Sequence, residues 1–312
     1  GFPTKQLKKY FTTRNKIKKL VNDFKPDLVF IDRQGYFGLE ILKMKIPLFV
    51  LLRGHYWSEI EYAKNTIYKN KIMQMVIDLR KKIAEKVFAE PTEILPICNY
   101  LKNVVKEYHP NHKSSVFIEG VDSTKWYKTK GLKLEHPCVG LLQDANWWRK
   151  TKEMLTLEKA IKSMPNIHFY WAGDGQYKDE ILKVFDKFEN FHWLGSLSYP
   201  EEVRDYLSTI DIYAIITGMD TTPLSLKEAQ LMEKPVIATD VGGNSEIMVE
   251  GKTGYLVREG NQDDIIIKIS SLIDNKELAK KMGKEGRDFI KNEFSLDVSA
   301  KNFLKIVESY IN

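Results

Sequence analysis

The sequence predicts an α/β fold with two parallel-sheet domains. Short apolar runs of strand length recur along the chain, and stretches with helical spacing separate them, as in parallel sheets whose strands are joined by crossover helices. The chain has 312 residues and is 43% hydrophobic, so it can form two hydrophobic cores of about 150 residues each. The polar, Lys-rich stretch Ser123–Pro137 lacks apolar periodicity and is predicted to be the linker.

In the first domain, strands are predicted to alternate with helices after a basic N-terminal helix. The predicted strands are Asp27–Asp32, Pro47–Arg53, Glu93–Cys98 and Ser115–Glu119, and the predicted helices are Tyr36–Met44 and Ser58–Glu90. Ligand-binding groups of such sheets lie at the carboxyl ends of the strands. His55 follows the second strand after Gly54, where its ring can donate a hydrogen bond to a ligand. A purely structural His at a strand end is the alternative.

The second domain is predicted to repeat this pattern. Its predicted strands are Cys138–Leu142, Ile167–Gly173, Phe191–Gly195, Ile210–Ile216, Pro235–Thr239 and Gly254–Val257. Predicted helices outside residues 210–257 are Thr151–Met164, Asn261–Asp274, Lys276–Lys284 and Ser295–Ile311. Arg149 and Lys150 end the loop after the first of these strands. Cations at this position can neutralise a diphosphate, and solvated loop charges are the alternative.

Residues 210–257 carry the clearest functional signal. A helix is predicted to begin near Thr222, which can cap free backbone N–H groups, and Pro223, which loses no hydrogen bond at the first helical position. Asp220 lies just before this terminus and Glu228 lies inside the helix. Two carboxylates around a helix N-terminus can bind a sugar diphosphate, because the amides hold phosphate oxygens while the carboxylates accept hydrogen bonds from hydroxyls. A surface Asp and a solvated Glu are the alternative.

This stretch resembles the nucleotide-binding segment of the retaining glycosyltransferases of family four, also called glycosyl transferases group 1, whose fold is GT-B. The residues that match the family pattern are Pro223, Leu224, Glu228, Ala229, Pro235–Thr239, Gly242, Gly243 and Glu246. Asp220 replaces the first Glu of the pattern and is one methylene shorter, and Thr221-Thr222 replace a Gly-aromatic pair. The resemblance covers nearly the whole chain from Pro26 onward.

The resemblance implies two Rossmann-like, doubly wound domains that face each other across a cleft. It places an acceptor-side domain at residues 1–122 and a nucleotide-sugar-binding domain at 123–294, and it implies that a helix at 295–312 packs back on the first domain. Relatives begin with a strand and a Gly-rich loop that approaches the acceptor. The sequence opens at Gly1-Phe2-Pro3 without either, so the first strand is expected to be missing or shortened.

The resemblance also assigns roles in donor binding. Glu228 would bind the ribose hydroxyls, and Asp220 would contact the donor sugar. His55 would face the same sugar, as a His after this strand often does in the family. The backbone amides around Thr222, Pro223 and Leu224 would hold the diphosphate.

Further donor contacts are implied by shorter motifs. Lys150 with Thr151 fits a Lys-Gly motif that binds the diphosphate in the family, and Leu141 replaces the Arg of an earlier Gly-Arg-Leu motif, so Arg149 is expected to supply the second cation. Gly173 belongs to a turn that resembles the family's Ala-Gly-x-Gly. Leu197 lies where relatives hold the nucleobase through backbone groups.

The implied function is the transfer of a hexose from a nucleotide diphosphate sugar to a glycan or lipid-linked acceptor, as in cell-envelope glycan biosynthesis, with retention at the anomeric carbon. The leaving phosphate would act as the base on the same face, so charge stabilisation would carry most of the catalysis. No cofactor or metal is expected, since the scheme requires none and no Asp-x-Asp motif is present. Two alternatives stay open: a nucleotide-sugar epimerase and a non-catalytic nucleotide-sugar-binding protein.

Composition limits the compartment and the partners. Cys98 and Cys138 lie beside apolar runs, so buried free thiols are predicted rather than a disulfide or a metal site. No apolar run reaches about 18 residues and no signal pattern opens the sequence, which predicts a cytoplasmic protein. No nucleic-acid partner is predicted, because the aromatic and basic pattern of such a surface is missing.

Basic residues crowd the first twenty positions, and they are Lys5, Lys8, Lys9, Arg14, Lys16, Lys18 and Lys19. A cluster of this kind is attracted to anionic lipid headgroups. The sequence therefore predicts either peripheral docking at the inner face of a membrane or a solvated helix face.

Overall fold

The computed structural model describes residues 14–311, which form two compact units. The first unit contains the described residues up to Ile118 together with those from Ala300 onward, and the second unit is Glu119–Ser299. The predicted boundaries, after Asp122 and after Phe294, lie within a few residues of these limits.

The first unit is built on a parallel sheet with helices between its strands. Its elements are α1 at residues 14–24, β1 Val29–Ile31, α2 Tyr36–Lys43, β2 Leu48–Leu52, α3 Tyr56–Thr66, α4 Lys71–Ala89, β3 Glu93–Pro96 and α5 Asn99–Tyr108. The three strands are parallel and pair in the order β1-β2-β3. Every residue of β2 is buried, as expected for an apolar strand of a parallel sheet whose faces are covered.

The strand predicted at Ser115–Glu119 is not formed. This segment is extended, and the backbone N–H of Phe117 donates to the Pro96 carbonyl at 2.8 Å. On its other side the partner is a side chain: Asn302 accepts from the Ile118 N–H at 3.0 Å and donates to the Val116 carbonyl at 3.3 Å. The Asn302 amide thus satisfies backbone groups on the edge that faces away from β3, while on the β3 side the segment begins with an isolated bridge between Ile94 and Ser114.

The helix predicted at Ser58–Glu90 is two helices, α3 and α4. Asn70 lies between them and caps α4 by accepting a hydrogen bond from the Met73 N–H at 2.8 Å. An Asn side chain satisfies a free N–H at a helix start, and this favours a new helix at that position. The apolar spacing alone does not reveal the break.

The second unit contains the larger sheet. Its strands are β4 Cys138–Leu142, β5 His168–Ala172, β6 Phe191–Gly195, β7 Ile212–Ile215, β8 Val236–Thr239 and β9 Gly254–Val257. Its helices are α6 Trp148–Met154, α7 Glu158–Ser163, α8 Lys178–Phe185, α9 Glu201–Thr209, α10 Leu224–Leu231, α11 Gln262–Asp274 and α12 Lys276–Glu293, and α13 Leu296–Val307 follows. The six parallel strands pair in the order β6-β5-β4-β7-β8-β9. The winding reverses between β4 and β7, and open sheets of this kind bind ligands outside the carboxyl ends of the strands at such a point.

Helix boundaries in the second unit differ from the prediction in places. The single helix predicted at Thr151–Met164 is α6, a 3₁₀ turn at Leu155–Leu157 and α7. The predicted helix Lys276–Lys284 extends to Glu293 as α12. The predicted terminal helix Ser295–Ile311 is α13 followed by a 3₁₀ turn at Glu308–Tyr310.

The end of α13 packs on the core of the first unit. The Phe303 ring lies 5.2 Å from the Phe30 ring and 6.0 Å from the Phe117 ring, between centroids. Cys98 and Cys138 are both buried, as predicted, and no disulfide joins them. Within residues 14–311, no helix has the length and apolar character that a membrane span needs.

Candidate functional site

A cavity of about 750 Å³ lies at the switch point of the second unit's sheet. Its walls include Leu142, Ala172 and Ile215, which stand at the carboxyl ends of β4, β5 and β7. Most of the predicted donor-binding residues line it, and they are Lys150, Gly173, Leu197, Asp220, Pro223, Leu224 and Glu228. The fold therefore brings side chains from separate strands and helices to one pocket.

An ion pair occupies one wall of this cavity. Lys150, on α6, places its Nζ 2.9 Å from Oδ2 of Asp220, which lies in the loop after β7, and the two side chains are 22% and 13% exposed. Oδ1 of Asp220 accepts a hydrogen bond from the Thr221 N–H at 2.9 Å. Gly242 packs so closely on this loop that a Cβ there would lie 1.8 Å from the Asp220 carbonyl. The Asp220 loop is thus fixed from two sides.

Glu228 is the more deeply buried of the two predicted carboxylates in the cavity wall. It lies on α10 and is 2% exposed. Tyr199 donates its hydroxyl to Glu228 Oε1 at 3.0 Å. Burial raises the pKa of Glu228 to about 7, against the smaller lowering effects of Tyr199 and Lys227. The pKa of Tyr199 is raised to about 12 by burial and by the charge of Glu228.

The start of α10 differs from the prediction. Thr222 does not cap the helix, and Pro223 is the cap residue rather than the first helical residue. The Thr222 side chain is 5% exposed and its Oγ1 has no hydrogen-bond partner. The extended ψ of 128° at Pro223 places the start at Leu224. The first N–H groups of a helix have no intrahelical acceptor, so this terminus offers N–H donors beside Asp220.

Two loop features shape the rest of the pocket. A Cβ at Gly173 would lie 2.1 Å from the Gln143 carbonyl, so only Gly fits this crossing. The Gln143 amide ties β4 to β7 by donating to the Ile216 carbonyl at 3.0 Å and accepting from the Ile216 N–H at 3.2 Å.

The sequence did not predict Gln143 and Tyr199 as pocket residues. Neither stands in a spacing pattern that marks it, and each acquires its role from a partner distant in the chain.

Three predicted residues do not line this cavity, and the buried Thr222 is one of them. Arg149 is exposed on α6 and does not line it. His55 belongs to the first unit, where it precedes α3 and its Nδ1 accepts from the Ser58 N–H at 3.3 Å. Its ring is surrounded by aromatic side chains, with Tyr100 at 6.2 Å and Trp57 at 6.4 Å between centroids.

A doubly wound parallel sheet with a polar pocket and a helix N-terminus at its switch point defines the class of Rossmann-like ligand-binding folds. The sequence profile described as "Glycosyl transferases group 1" matches residues 124–289, more than half of the chain. The protein therefore belongs to the glycosyl transferases group 1 family.

Similarity to individual proteins agrees with this family. An uncharacterized glycosyltransferase of Methanocaldococcus jannaschii is 29% identical over 224 residues, which are 69% of this chain and 59% of that protein. The chain thus spans less than two thirds of that relative's length.

Solved structures resemble the chain in fold. Sucrose-phosphate synthase from Thermosynechococcus elongatus has a TM-score of 0.80 at 14% identity, over 98% of this chain and 79% of its own. Anabaena HepE, solved in complex with UDP-glucose, has a TM-score of 0.73 at 14% identity, over 94% of this chain and 82% of its own. The predicted GT-B fold is confirmed.

Proposed function

We propose that the protein is a retaining glycosyltransferase that moves a hexose from a nucleotide diphosphate sugar to a glycan or lipid-linked acceptor. The observation that supports this most is the single cavity at the sheet's switch point, where Lys150, Asp220, Glu228 and the start of α10 meet. A diphosphate requires cations and N–H donors, and a ribose requires acceptors for its hydroxyls. The cavity offers both sets side by side.

The diphosphate is proposed to lie between the start of α10 and Lys150. The backbone N–H groups at the start of α10 supply neutral donors. Lys150 has three N–H bonds, so its ammonium can contact a phosphate oxygen while it keeps the hydrogen bond to Asp220. Asp220 then lies beside the phosphate, where it can accept a hydrogen bond from a hydroxyl of the donor sugar.

The nucleoside is proposed to lie toward Glu228. Both oxygens of its carboxylate can accept hydrogen bonds from the two ribose hydroxyls, and Oε1 already accepts from Tyr199. The base would rest near Leu197, whose backbone is available for contacts that leave no side-chain signature. The nucleoside would therefore displace or share the Tyr199 hydroxyl.

Catalysis in this proposal depends on stabilising the leaving diphosphate. As the glycosidic bond breaks, negative charge grows on the phosphate oxygens, and Lys150 with the helix terminus opposes it in a partly dry site. The acceptor hydroxyl attacks from the face that the phosphate leaves, so the phosphate can take its proton and the anomeric configuration is retained. The scheme needs no divalent metal.

A donor screen tests this proposal. We expect one of UDP-, GDP- or ADP-glucose to raise the unfolding temperature of the protein, because a ligand that binds only the folded state stabilises it in proportion to its affinity. Prolonged incubation with that donor should then release free hexose by slow hydrolysis. An altered hexose on the recovered donor would support an epimerase, binding without any turnover would support a non-catalytic protein, and no shift with any nucleotide sugar would contradict the proposal.

The Tyr199→Phe variant is expected to change donor affinity by no more than about tenfold, because the Tyr199 hydroxyl contacts Glu228 rather than the donor and a single hydrogen bond contributes on the order of 1 kcal/mol. Tyr199 is 59% exposed, so the ring can remain in place without its hydroxyl. Calorimetric titration with the donor from the screen measures the change. The exposed Tyr127, which lies outside the cavity lining, provides the matched control Tyr127→Phe, whose affinity should equal that of the wild type.

We also propose peripheral docking of α1 on an anionic membrane surface. Lys16, Lys18 and Lys19 are exposed on α1, as are Leu20 at 59% and Phe24 at 78%. Basic and apolar side chains together favour the headgroup region. Three further basic residues of the predicted cluster, Lys5, Lys8 and Lys9, lie outside the described residues.

Replacement of Lys16, Lys18 and Lys19 by Gln is expected to reduce co-sedimentation with phosphatidylserine vesicles, since each basic residue near such a surface contributes about 1 kcal/mol. The matched control replaces three exposed Lys of α12, and these are Lys280, Lys281 and Lys284. Equal losses in both triple variants would indicate a general charge effect and would contradict docking through α1.

A further inference from the structure

A second cluster of reactive side chains lies at the other end of the sheet from the cavity. His136 precedes β4, Cys138 is its first residue and Asp211 directly precedes β7. β4 and β7 are neighbours, and the register pairs Val139 with Ile212. The sheet therefore places these three side chains together at the amino ends of two adjacent strands.

The ligand atoms of the cluster are close to one another. Nδ1 of His136 lies 2.8 Å from Oδ2 of Asp211 and 3.7 Å from Sγ of Cys138. All three atoms lie within 4.8 Å of one another, and no other trio of His, Cys, Asp or Glu within the described part of the chain does so. Zinc–ligand bonds of about 2.0–2.3 Å in a tetrahedral arrangement separate the ligand atoms by roughly 3.3–3.7 Å. The separation of Nδ1 from Sγ is already in that range, and that of Nδ1 from Oδ2 would have to grow by about half an ångström when an ion replaces the direct hydrogen bond.

We propose that His136, Cys138 and Asp211 bind a divalent transition-metal ion of the zinc type. A sulfur, an imidazole nitrogen and a carboxylate oxygen are ligands that Zn²⁺ accepts, whereas Mg²⁺ and Ca²⁺ select oxygen ligands. The thiolate and the carboxylate together carry two negative charges, which balance the charge of the ion. The Cys138 thiol loses its proton to solvent when the metal–sulfur bond forms, so binding releases one proton.

The surroundings give the ion access and hold one ligand in place. A cavity of about 500 Å³ is lined by His136 and Asp211, so an ion can approach from solvent while buried Cys138 forms the inner ligand. The same Asp211 oxygen accepts a hydrogen bond from the Cys138 N–H at 2.8 Å, which orients the carboxylate as outer contacts of metal ligands do. Two cations face the cluster: Lys234 interacts with Asp211 and Cys138, and Lys276 lines the cavity. The ion must compete with them.

The test is a Zn²⁺ titration of the untagged, reduced chain, followed by thermal unfolding. We expect Zn²⁺ to raise the unfolding temperature by on the order of 5 °C at saturation, and Co²⁺ to produce a sulfur-to-metal charge-transfer absorption band. Both signals should be absent in Cys138→Ser. The other buried cysteine supplies the matched control, because Cys98→Ser should keep both signals.

A second variant keeps the test decisive if Cys138→Ser does not fold. His136 is 45% exposed in its side chain, so His136→Gln should fold and should lose the Zn²⁺-dependent shift. His192→Gln should keep it, since His192 pairs with His168 at 3.0 Å outside the trio. The proposal is overturned if wild type shows no shift, if Cys138→Ser or His136→Gln keeps it, or if His192→Gln loses it. None of these readouts depends on sugar transfer, so they are independent of the proposed function.

Discussion

The Glu228→Gln variant is expected to be more stable than wild type at pH 8 and to bind a nucleotide sugar more weakly. Both effects have the same origin. Glu228 is almost fully buried, and burial raises the pKa of its carboxyl group from 4.5 to about 7. The folded protein therefore disfavours the ionised form of Glu228, which the proposed ribose contact requires.

The sign of the stability effect follows from this pKa. Between about pH 4.5 and pH 7 the unfolded chain releases the Glu228 proton more readily than the folded protein does, so stability falls as the pH rises through this window. Above pH 7 the loss is complete and amounts to roughly 3 kcal/mol. Gln does not titrate, so the variant should gain about this much at pH 8 and much less near pH 4.5. Urea unfolding at the two pH values measures the difference.

The binding effect has the opposite sign. An ionised Glu228 can accept charge-assisted hydrogen bonds from ribose hydroxyls, and such bonds contribute about 1.5–3 kcal/mol. Gln lacks the charge, so donor affinity should fall by about 10- to 100-fold. Wild-type affinity for a nucleotide sugar should also increase as the pH rises through about 7, while that of the variant should stay flat.

Glu40 supplies the matched control for the stability measurement. It is 1% exposed, but it accepts hydrogen bonds from Lys43 at 2.7 Å and Arg14 at 3.0 Å. Burial acts to raise the pKa of Glu40, and these two cations outweigh it and lower the pKa. Glu40→Gln should therefore reduce stability at neutral pH and leave donor affinity unchanged. Wild-type donor affinity in Glu228→Gln would contradict the assignment of Glu228 to the ribose, and a destabilised Glu228→Gln would contradict the raised pKa of its carboxyl group.

The sequence was sufficient to predict the strands of the larger sheet and most of the residues that line the pocket. Apolar runs such as Cys138–Leu142 and Gly254–Val257 became strands because a parallel sheet covered on both faces requires continuous apolar segments. Pocket residues at the carboxyl ends of those strands were predictable, since the fold places these ends at one edge. Glu228 and Asp220 were found in this way, together with the family pattern.

The predicted secondary structure was wrong where hydrogen bonds between side chains and the backbone differ from those that the residue types suggest. Asn302 hydrogen-bonds the outer edge of Ser115–Glu119, whose pairing with β3 begins with an isolated bridge at Ser114. Asn70 starts a new helix inside a continuous amphipathic pattern. Thr222 has the residue type of a helix cap, yet the extended backbone at Pro223 leaves its hydroxyl without a partner. The partner of Asn302 lies far away in the chain, so local spacing cannot show it.

The Lys150→Met variant is expected to lower kcat by about 10²- to 10³-fold, which is typical when one preorganised charge that stabilises a transition state is removed. Lys150 and Asp220 are largely buried and 2.9 Å apart, so the substitution also leaves a carboxylate without its cation where the diphosphate would lie. Steady-state kinetics with the donor from the screen measures the loss. The double variant Lys150→Met with Asp220→Asn should recover part of the donor affinity, because the unpaired negative charge is gone, but not the turnover.

A variant of the adjacent residue, Arg149, tests whether the position of the positive charge matters or only its presence. Arg149 carries the same charge one position earlier on α6, but it is exposed and does not line the cavity. An exposed cation is screened by water and salt, so Arg149→Met should change kcat by less than about threefold. If Arg149→Met and Lys150→Met lost activity equally, both cations would contact the diphosphate, as the family resemblance implies. In that case the exposed Arg149 side chain would turn toward the cavity when the donor binds.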